Sequence, residues 1–145
     1  MKQVDIYTDG ACSGNPGAGG YCAILIYNGL EKTVSGSENY TTNNRMELMA
    51  VIKGLECLKF PCFVKVYSDS SYVVEAFNKG WISAWESNGW RNSNKKEVKN
   101  IDLWQELLKL CKIHRVEFIK VKGHADNEYN NRCDKIAVNE YVKLI

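Results

Sequence analysis

The segment Lys2–Tyr27, KQVDIYTDGACSGNPGAGGYCAILIY, places two strand-like runs around a glycine-dense turn. Lys2 to Thr8 alternates apolar and polar residues and is rich in β-forming types, and Gly20 to Tyr27 is a second such run. Asn28-Gly29 is a strong hairpin signal and leads into a weaker strand, Glu31 to Tyr40. The chain is therefore predicted to open with a three-stranded antiparallel meander.

Helical and strand-like patterns alternate after this meander. Cap chemistry at Thr41 to Asn44 precedes a helix that Pro61 is expected to close, and Cys62 to Ser68 has the pattern of a fourth strand. A helix followed by a strand implies a crossover into a parallel pair. The remaining predicted elements are short helices at Ser71–Asn78 and Trp81–Trp85, an amphipathic helix through Leu103 to Cys111, a fifth strand at Arg115–Val121, a polar loop at Lys122–Asn131 and a last helix from Cys133 to Leu144.

This order predicts one α/β domain over residues 1–145, with a five-stranded mixed sheet flanked by helices. The 145 residues are enough for one domain, and a 45% apolar, 25% charged composition is that of a folded globule. No apolar run is long enough to span a bilayer and no export signal follows Met1, so a cytoplasmic protein with reduced cysteines is expected. The net charge of +2 does not choose among partners.

Four acidic residues break the usual pattern of solvated carboxylates. Asp9 and Asp69 are expected to end strands one and four, so that parallel pairing would bring both to the same carboxyl edge of the sheet. Glu47 and Asp134 fall in line with apolar residues of their helices and are predicted to point inward. Four inward carboxylates would repel one another strongly without a cation among them.

Oxygen ligands favour a hard cation, Mg²⁺ or Mn²⁺, over zinc, because the chain has two histidines and no paired cysteines. Two such ions sharing carboxylates are the usual arrangement for attack on a phosphodiester. The glycines between Gly10 and Gly20 match neither a dinucleotide-binding nor a P-loop spacing. His124 lies in a polar loop from which it could assist proton transfer, and His114 is expected to be a solvated surface residue.

These motifs resemble type 1 ribonuclease H of the bacterial kind, and the likeness runs from about Lys2 to Tyr141. The protrusion from Trp85 to Trp104 is similar to the helix and loop that grip the substrate in that family. The segments that carry the resemblance are Tyr7–Cys12, Thr41–Leu48, Tyr67–Ser70, Val121–Ala125 and Asn130–Asp134.

The resemblance implies an endonuclease that hydrolyses the RNA strand of an RNA/DNA hybrid with two Mg²⁺ ions and leaves 3′-hydroxyl and 5′-phosphate ends. It implies that Asp9 bridges the ions, that Glu47 and Asp69 hold the ion near the leaving group, and that Asp134 holds the ion that activates water. His124 would assist proton transfer or product release. A monomer with no obligate protein partner, no membrane contact and no additional hybrid-binding domain is expected.

The resemblance also implies a set of substrate contacts. Thr42 and Asn100 match a pocket for a DNA phosphate, and Tyr72 with Trp81 match an aromatic channel beside the DNA strand. Trp85, Trp90 and Trp104 are expected to pack internally. The residues that match the stretch tracking the minor groove, where 2′-hydroxyls mark the RNA, are Cys12, Asn15, Asn43, Asn44 and Ser71.

Two rival functions remain open at the level of sequence. One is a non-catalytic module that grips hybrid or duplex on the same fold, and the other is a different two-metal nuclease or strand-transfer domain of the wider superfamily. The segment from Lys79 to Lys99 carries a net charge of only +3, whereas the corresponding protrusion of the family is often strongly basic, so binding is expected to be weaker and especially sensitive to salt.

Overall fold

The computed structural model describes residues 1–122 and 127–145 of the chain. The order of its elements confirms the predicted α/β class with a mixed five-stranded sheet. In chain order, the elements are β1 (Lys2–Cys12), β2 (Gly17–Tyr27), β3 (Leu30–Thr41), α1 (Asn43–Glu56), β4 (Cys62–Ser68), α2 (Ser71–Asn78), α3 (Trp81–Ser87), α4 (Ile101–Ile113), β5 (Arg115–Lys120) and α5 (Glu128–Val142).

The sheet has the strand order β3-β2-β1-β4-β5, so β1 lies at its centre. The first three strands pair antiparallel, as the predicted meander requires. β4 pairs parallel with β1 and β5 pairs parallel with β4, which confirms the predicted crossover. The two parallel strands β1 and β4 therefore deliver the residues at their carboxyl ends to one edge of the sheet.

Helices cover the two faces of the sheet unequally. α1 packs on β1 and β2 with α4 behind it, and the main core forms there around Ile6, Leu48, Val66 and Trp104. α5 lies on the opposite face over β1 and β2, where Cys22, Ile24, Cys133 and Ala137 form a smaller apolar cluster. Residues of β1 thus face α1 or α5 alternately, because successive side chains of a strand point to opposite faces.

Strand β1 is longer than predicted, and this changes the position of Asp9. The β1–β2 ladder continues through the pair Asp9–Cys22 as far as Cys12–Gly19, so Asp9 lies inside β1 rather than at its end. Its parallel pairing with β4 stops earlier, at Tyr7 and Tyr67. Asp9 therefore follows the last β1 residue that pairs with β4, and it lies beside the bend that contains Asp69.

Several helix boundaries also differ from the prediction. α1 ends at Glu56 well before Pro61, because the N–H of Cys57 bonds back to the carbonyls of Gly54 and Leu55. α5 begins at Glu128, within the predicted loop, because Asn127 caps it by accepting the N–H of Asn130 at 3.1 Å. Among the smaller differences, α3 continues to Ser87 rather than ending at Trp85, and the strand β5 ends at Lys120 rather than at Val121.

The prediction that His114 is a solvated surface residue is wrong. His114 is only 6% exposed, and its Nδ1 accepts the backbone N–H of Cys62 at 3.1 Å. His114 is the C-cap of α4, directly before β5, and its ring lies against Cys62, the first residue of β4. Within the described ranges, none of the helices combines the length and apolar character that a membrane crossing requires.

Candidate active site

Three of the four acids singled out in the sequence gather at the centre of the sheet edge. Asp9 of β1, Glu47 of α1 and Asp69 after β4 each offer a carboxylate oxygen, and these oxygens lie within 4.8 Å of one another. Asp9 and Glu47 are each 5% exposed, whereas Asp69 is half-buried. Three elements that are distant in sequence thus converge on one small volume that can hold a cation.

Gly10 explains how β1 and α1 come so close. A Cβ atom at this position would overlap the backbone of Met46 and Glu47, so only glycine allows the strand to lie against the helix here. The Gly10 N–H donates to Asp9 Oδ1 at 2.9 Å and also to Glu47 Oε1. One backbone donor therefore orients two of the three clustered carboxylates.

Asp134 lies on α5 and lines the same cleft, which has a volume of about 410 Å³. Its oxygens do not join the tight group of three, so it approaches the cluster from the side of α5. We call this opening the carboxylate cleft; it is lined by Asp9, Gly10, Asn43, Asn44, Glu47, Asp69, Ser70, Ser71, Tyr72 and Asp134.

The carboxylates strongly perturb one another. Burial, followed by the negative charges of Asp69 and Asp134, raises the pKa of Asp9 to about 7, against the lowering effects of a hydrogen bond with Glu47 and of the Gly10 N–H. Burial and the charges of Asp9 and Asp69 likewise raise the pKa of Glu47 well above its ordinary value. The protein without a cation thus holds negative charge at a cost, and a bound cation would relieve it.

The donor set fits a hard divalent cation. Every side chain in the cluster offers a carboxylate oxygen, which is the ligand type that Mg²⁺ and Mn²⁺ prefer, and no thiol or imidazole takes part among the described residues. His124, which the sequence also singled out, lies outside the described residues.

A second opening, the side cleft, adjoins the carboxylate cleft through Asn43 and Asn44 and has a volume of about 500 Å³. Asn15 Oδ1 accepts the N–H of Asn43 at 2.8 Å, and Thr42 caps α1 by accepting the N–H of Arg45 at 3.3 Å. The structure therefore brings together most of the predicted substrate contacts; the side cleft is lined by Cys12, Gly14, Asn15, Thr42, Asn43, Asn44, Lys99 and Asn100.

Asn100 is held by contacts on both ends of its amide. Its Nδ2 donates to the hydroxyl of Tyr72 at 3.0 Å, and its Oδ1 accepts from Arg45 at 3.3 Å. The Tyr72 hydroxyl also accepts the indole N–H of the fully buried Trp104 at 3.0 Å. Arg45 in turn makes a two-pronged ion pair with Asp102 at 2.9 and 3.0 Å, which ties α1 to α4. The amide of Asn100 is thus presented in a fixed orientation.

Ser71 and Trp81 occupy different positions from the side-cleft residues. Ser71 begins α2 in the carboxylate cleft, and its hydroxyl accepts from the Lys120 ammonium. Trp81 on α3 is 36% exposed, with its ring centroid 6.4 Å from that of Trp85. The other tryptophans pack internally as predicted, with Trp85 6.0 Å from Trp90 and 5.5 Å from Trp104.

Sequence reasoning missed two features of these clefts. Lys99 lines the side cleft beside Asn100, and its place in a polar stretch next to a candidate phosphate ligand is the signal that could have identified it. The N–H of Gly10 donates to two of the acids, and a backbone donor of this kind cannot be predicted from the pattern of side chains.

Known proteins of one family match this chain. The sequence model of the RNase H family matches residues 1–141. The ribonuclease H of Acetivibrio thermocellus is 63% identical over 143 residues, covering 99% of this chain and 97% of that protein. The ribonuclease H of Chlorobaculum parvum is 60% identical over 136 residues, covering 94% and 93% of the two chains.

Solved structures share the fold. LC9-RNase H1, described as a type 1 RNase H with the type 2 active-site motif, superposes with a TM-score of 0.84 at 29% identity and covers all of this chain and 74% of its own. LC11-RNase H1 in complex with an RNA/DNA hybrid has the same fold, with a TM-score of 0.76 at 22% identity over 97% of this chain and 98% of that one. The sequence matches and the shared fold lead to one conclusion: the chain belongs to the RNase H family.

Proposed function

We propose that this chain hydrolyses the RNA strand of an RNA/DNA hybrid at the carboxylate cleft, using two Mg²⁺ ions. The observation that carries the proposal is the cluster of Asp9, Glu47 and Asp69, whose oxygens lie within 4.8 Å of one another. At neutral pH, bound cations would relieve the repulsion within such a buried group of carboxylates. Membership of the RNase H family supplies the substrate class.

In the reaction, a water oxygen attacks the phosphorus and the bond from phosphorus to the 3′ oxygen breaks. The leaving oxygen takes a proton, so the products carry a 3′-hydroxyl and a 5′-phosphate. Divalent ions bound at such a site supply a nucleophile at neutral pH and stabilise the charge on the leaving oxygen. Mn²⁺ offers the same coordination chemistry and is the alternative ion.

The resemblance to type 1 ribonuclease H implies a role for each acid. Asp9, whose pKa is raised by both Asp69 and Asp134, would hold both ions. Glu47 and Asp69 would hold the ion near the leaving group, and Asp134, which lines the cleft from α5, would hold the ion that activates water. We assign proton transfer or product release to His124, in the segment that precedes α5.

The side cleft recognises the hybrid by shape rather than by base sequence. Small polar groups there suit contacts to 2′-hydroxyls, which distinguish RNA from DNA without reading bases, and to phosphates, which position the duplex. In this proposal Thr42 and Asn100 hold a DNA phosphate, while Tyr72 and Trp81 flank the DNA strand. Cys12, Asn15, Asn43, Asn44 and Ser71 follow the minor groove. The chain acts as a single RNase H domain and a cytoplasmic monomer without an obligate protein partner.

The test is cleavage of four end-labelled substrates: RNA/DNA hybrid, double-stranded RNA, double-stranded DNA and single-stranded RNA, each with and without Mg²⁺. We expect Mg²⁺-dependent cleavage of the RNA in the hybrid alone. Absence of hybrid cleavage would refute the proposal, and tight hybrid binding without cleavage would favour a non-catalytic binding module. Equal cleavage of DNA would favour another nuclease of the superfamily.

A further inference from the structure

The carboxylate cleft adjoins a third opening, with which it shares Asp69. We call it the lysine cleft; it has a volume of about 520 Å³ and is lined by Asp69, Lys120, Val121 and Lys122. The three openings are contiguous, because the side and carboxylate clefts share Asn43 and Asn44, and the carboxylate and lysine clefts share Asp69. A nucleic-acid strand whose phosphate lies at the carboxylates can therefore extend into the lysine cleft.

Lys120 is held at the mouth of this third opening. It is the last residue of β5 and pairs with Ser68 of β4, directly before Asp69. Its ammonium donates to the hydroxyl of Ser71 at the start of α2, across the end of the sheet. An ammonium has three N–H donors, so the bond to Ser71 leaves two available for another acceptor.

The charge around Lys120 suits an anion. Lys120 is exposed, and among the described residues no carboxylate lies within ion-pair distance of it. Lys122 lines the same opening, so two cationic side chains stand beside a cluster of negative ones. A phosphodiester next to the one undergoing hydrolysis carries the negative charge that these ammonium groups attract.

From this placement we infer that Lys120 binds a phosphate of the RNA strand adjacent to the scissile one, with Ser71 positioning its ammonium. The inference rests on the proposed function, because it takes the strand at the carboxylates to be RNA. It gives Ser71 a second role, beside the minor-groove contact that the resemblance implies: its hydroxyl holds the Lys120 ammonium. The short Ser71 side chain leaves room for the lysine.

The test measures binding of a fluorescently labelled RNA/DNA hybrid in EDTA, where no cleavage occurs, between 50 and 200 mM KCl. We expect Lys120→Met to weaken binding by about 3- to 10-fold at the lowest salt and to reduce the slope of log Kd against log salt by about 1. Lys120→Arg should restore most of the affinity. The matched control is Lys32→Met, at an exposed lysine that is not among the described residues lining the three clefts.

The rival explanation is that Lys120 acts only on the charge of Asp69. In that case Lys120→Met would strengthen Mg²⁺ binding, measured by calorimetry, and leave the Kd for hybrid and its salt slope unchanged. That result, or a loss of affinity equal to that of Lys32→Met, overturns the inference. In either case the wild-type protein would still cleave hybrid, so a failure of this inference is distinguishable from a failure of the proposed function.

Discussion

Asp9 and Glu47 share a single backbone donor, the N–H of Gly10. The sharing is possible because β1 and α1 touch at Gly10, where an added Cβ would collide with the helix backbone. Two carboxylates are thereby held together by one N–H that offsets only part of their repulsion. The fold thus keeps the acids in place before any cation binds, and their mutual repulsion reduces the stability of the metal-free protein.

Asp9→Asn is expected to abolish hybrid cleavage and to stabilise the metal-free protein. Asparagine keeps an oxygen that can accept the Gly10 N–H, but it removes the charge that burial and its neighbours disfavour. We expect a gain of about 1–3 kcal/mol, or roughly 3–10 °C in Tm, measured by thermal unfolding in EDTA. A lower Tm for the variant would show that the cluster is not repulsive. Asp5→Asn, on the same strand but outside the carboxylate cleft, is the control.

The stability gain of Asp9→Asn should depend on pH. The pKa of Asp9 rises on folding from 3.8 to about 7, so between these values the native state retains a proton that the unfolded state has lost. The wild-type carboxyl therefore loses native-state stability as pH rises through this window, and the cost is complete above about pH 7. The Tm difference between variant and wild type in EDTA should grow from pH 4.5 to pH 7.5. A Tm difference that does not change with pH would contradict this assignment. Saturating Mg²⁺ should reduce the Tm difference, because the ion stabilises the wild type.

The sequence predicts the sheet and the inward acids because both depend on local pattern. Alternation identifies β1 and β2, and helical spacing turns Glu47 toward the core, where the structure places it. Asp9 was expected at a strand end, but the pairing of Cys12 with Gly19 extends β1 beyond it. Glycines that signal a turn also permit a strand, and local pattern cannot choose between the two.

Local sequence patterns cannot predict contacts between residues that are far apart in the chain. His114 and Cys62 are 52 residues apart, and no residue pattern around His114 predicts that its ring contacts the first residue of β4. The bonds from Asn100 and Trp104 to the Tyr72 hydroxyl span 28 and 32 residues. These polar contacts depend on how the assembled helices and strands are juxtaposed, so they become visible only in the folded structure.

Tyr72→Phe should lower both stability and affinity for hybrid. The change removes the acceptor for the indole N–H of the fully buried Trp104 and frees one end of the Asn100 amide. An unpaired buried donor costs about 1–3 kcal/mol, which urea denaturation would reveal. Because Asn100 then loses its fixed orientation, KM for hybrid should rise more than kcat falls. Tyr40→Phe, at a residue that is 77% exposed, should change neither quantity, and equal effects of the two variants would contradict the role of the Tyr72 hydroxyl.

His114→Ala should destabilise the protein without altering the chemistry of the carboxylate cleft. The variant leaves the buried N–H of Cys62 without its acceptor, so we expect a loss of about 1–3 kcal/mol in urea denaturation at pH 7.5 and unchanged hybrid cleavage at 25 °C. Asparagine can present an oxygen near the position of Nδ1, so His114→Asn should recover part of the loss.

The effect of His114→Ala should also diminish in acid. Burial lowers the pKa of His114 below 6.5, so the ring contributes its stabilisation above the unfolded pKa and loses it as pH falls through the lower folded value. The stability difference between wild type and His114→Ala should therefore be smaller at pH 5 than at pH 7.5. A difference that grows in acid would mean that the native state binds the protonated ring, which is incompatible with an Nδ1 that accepts the Cys62 N–H.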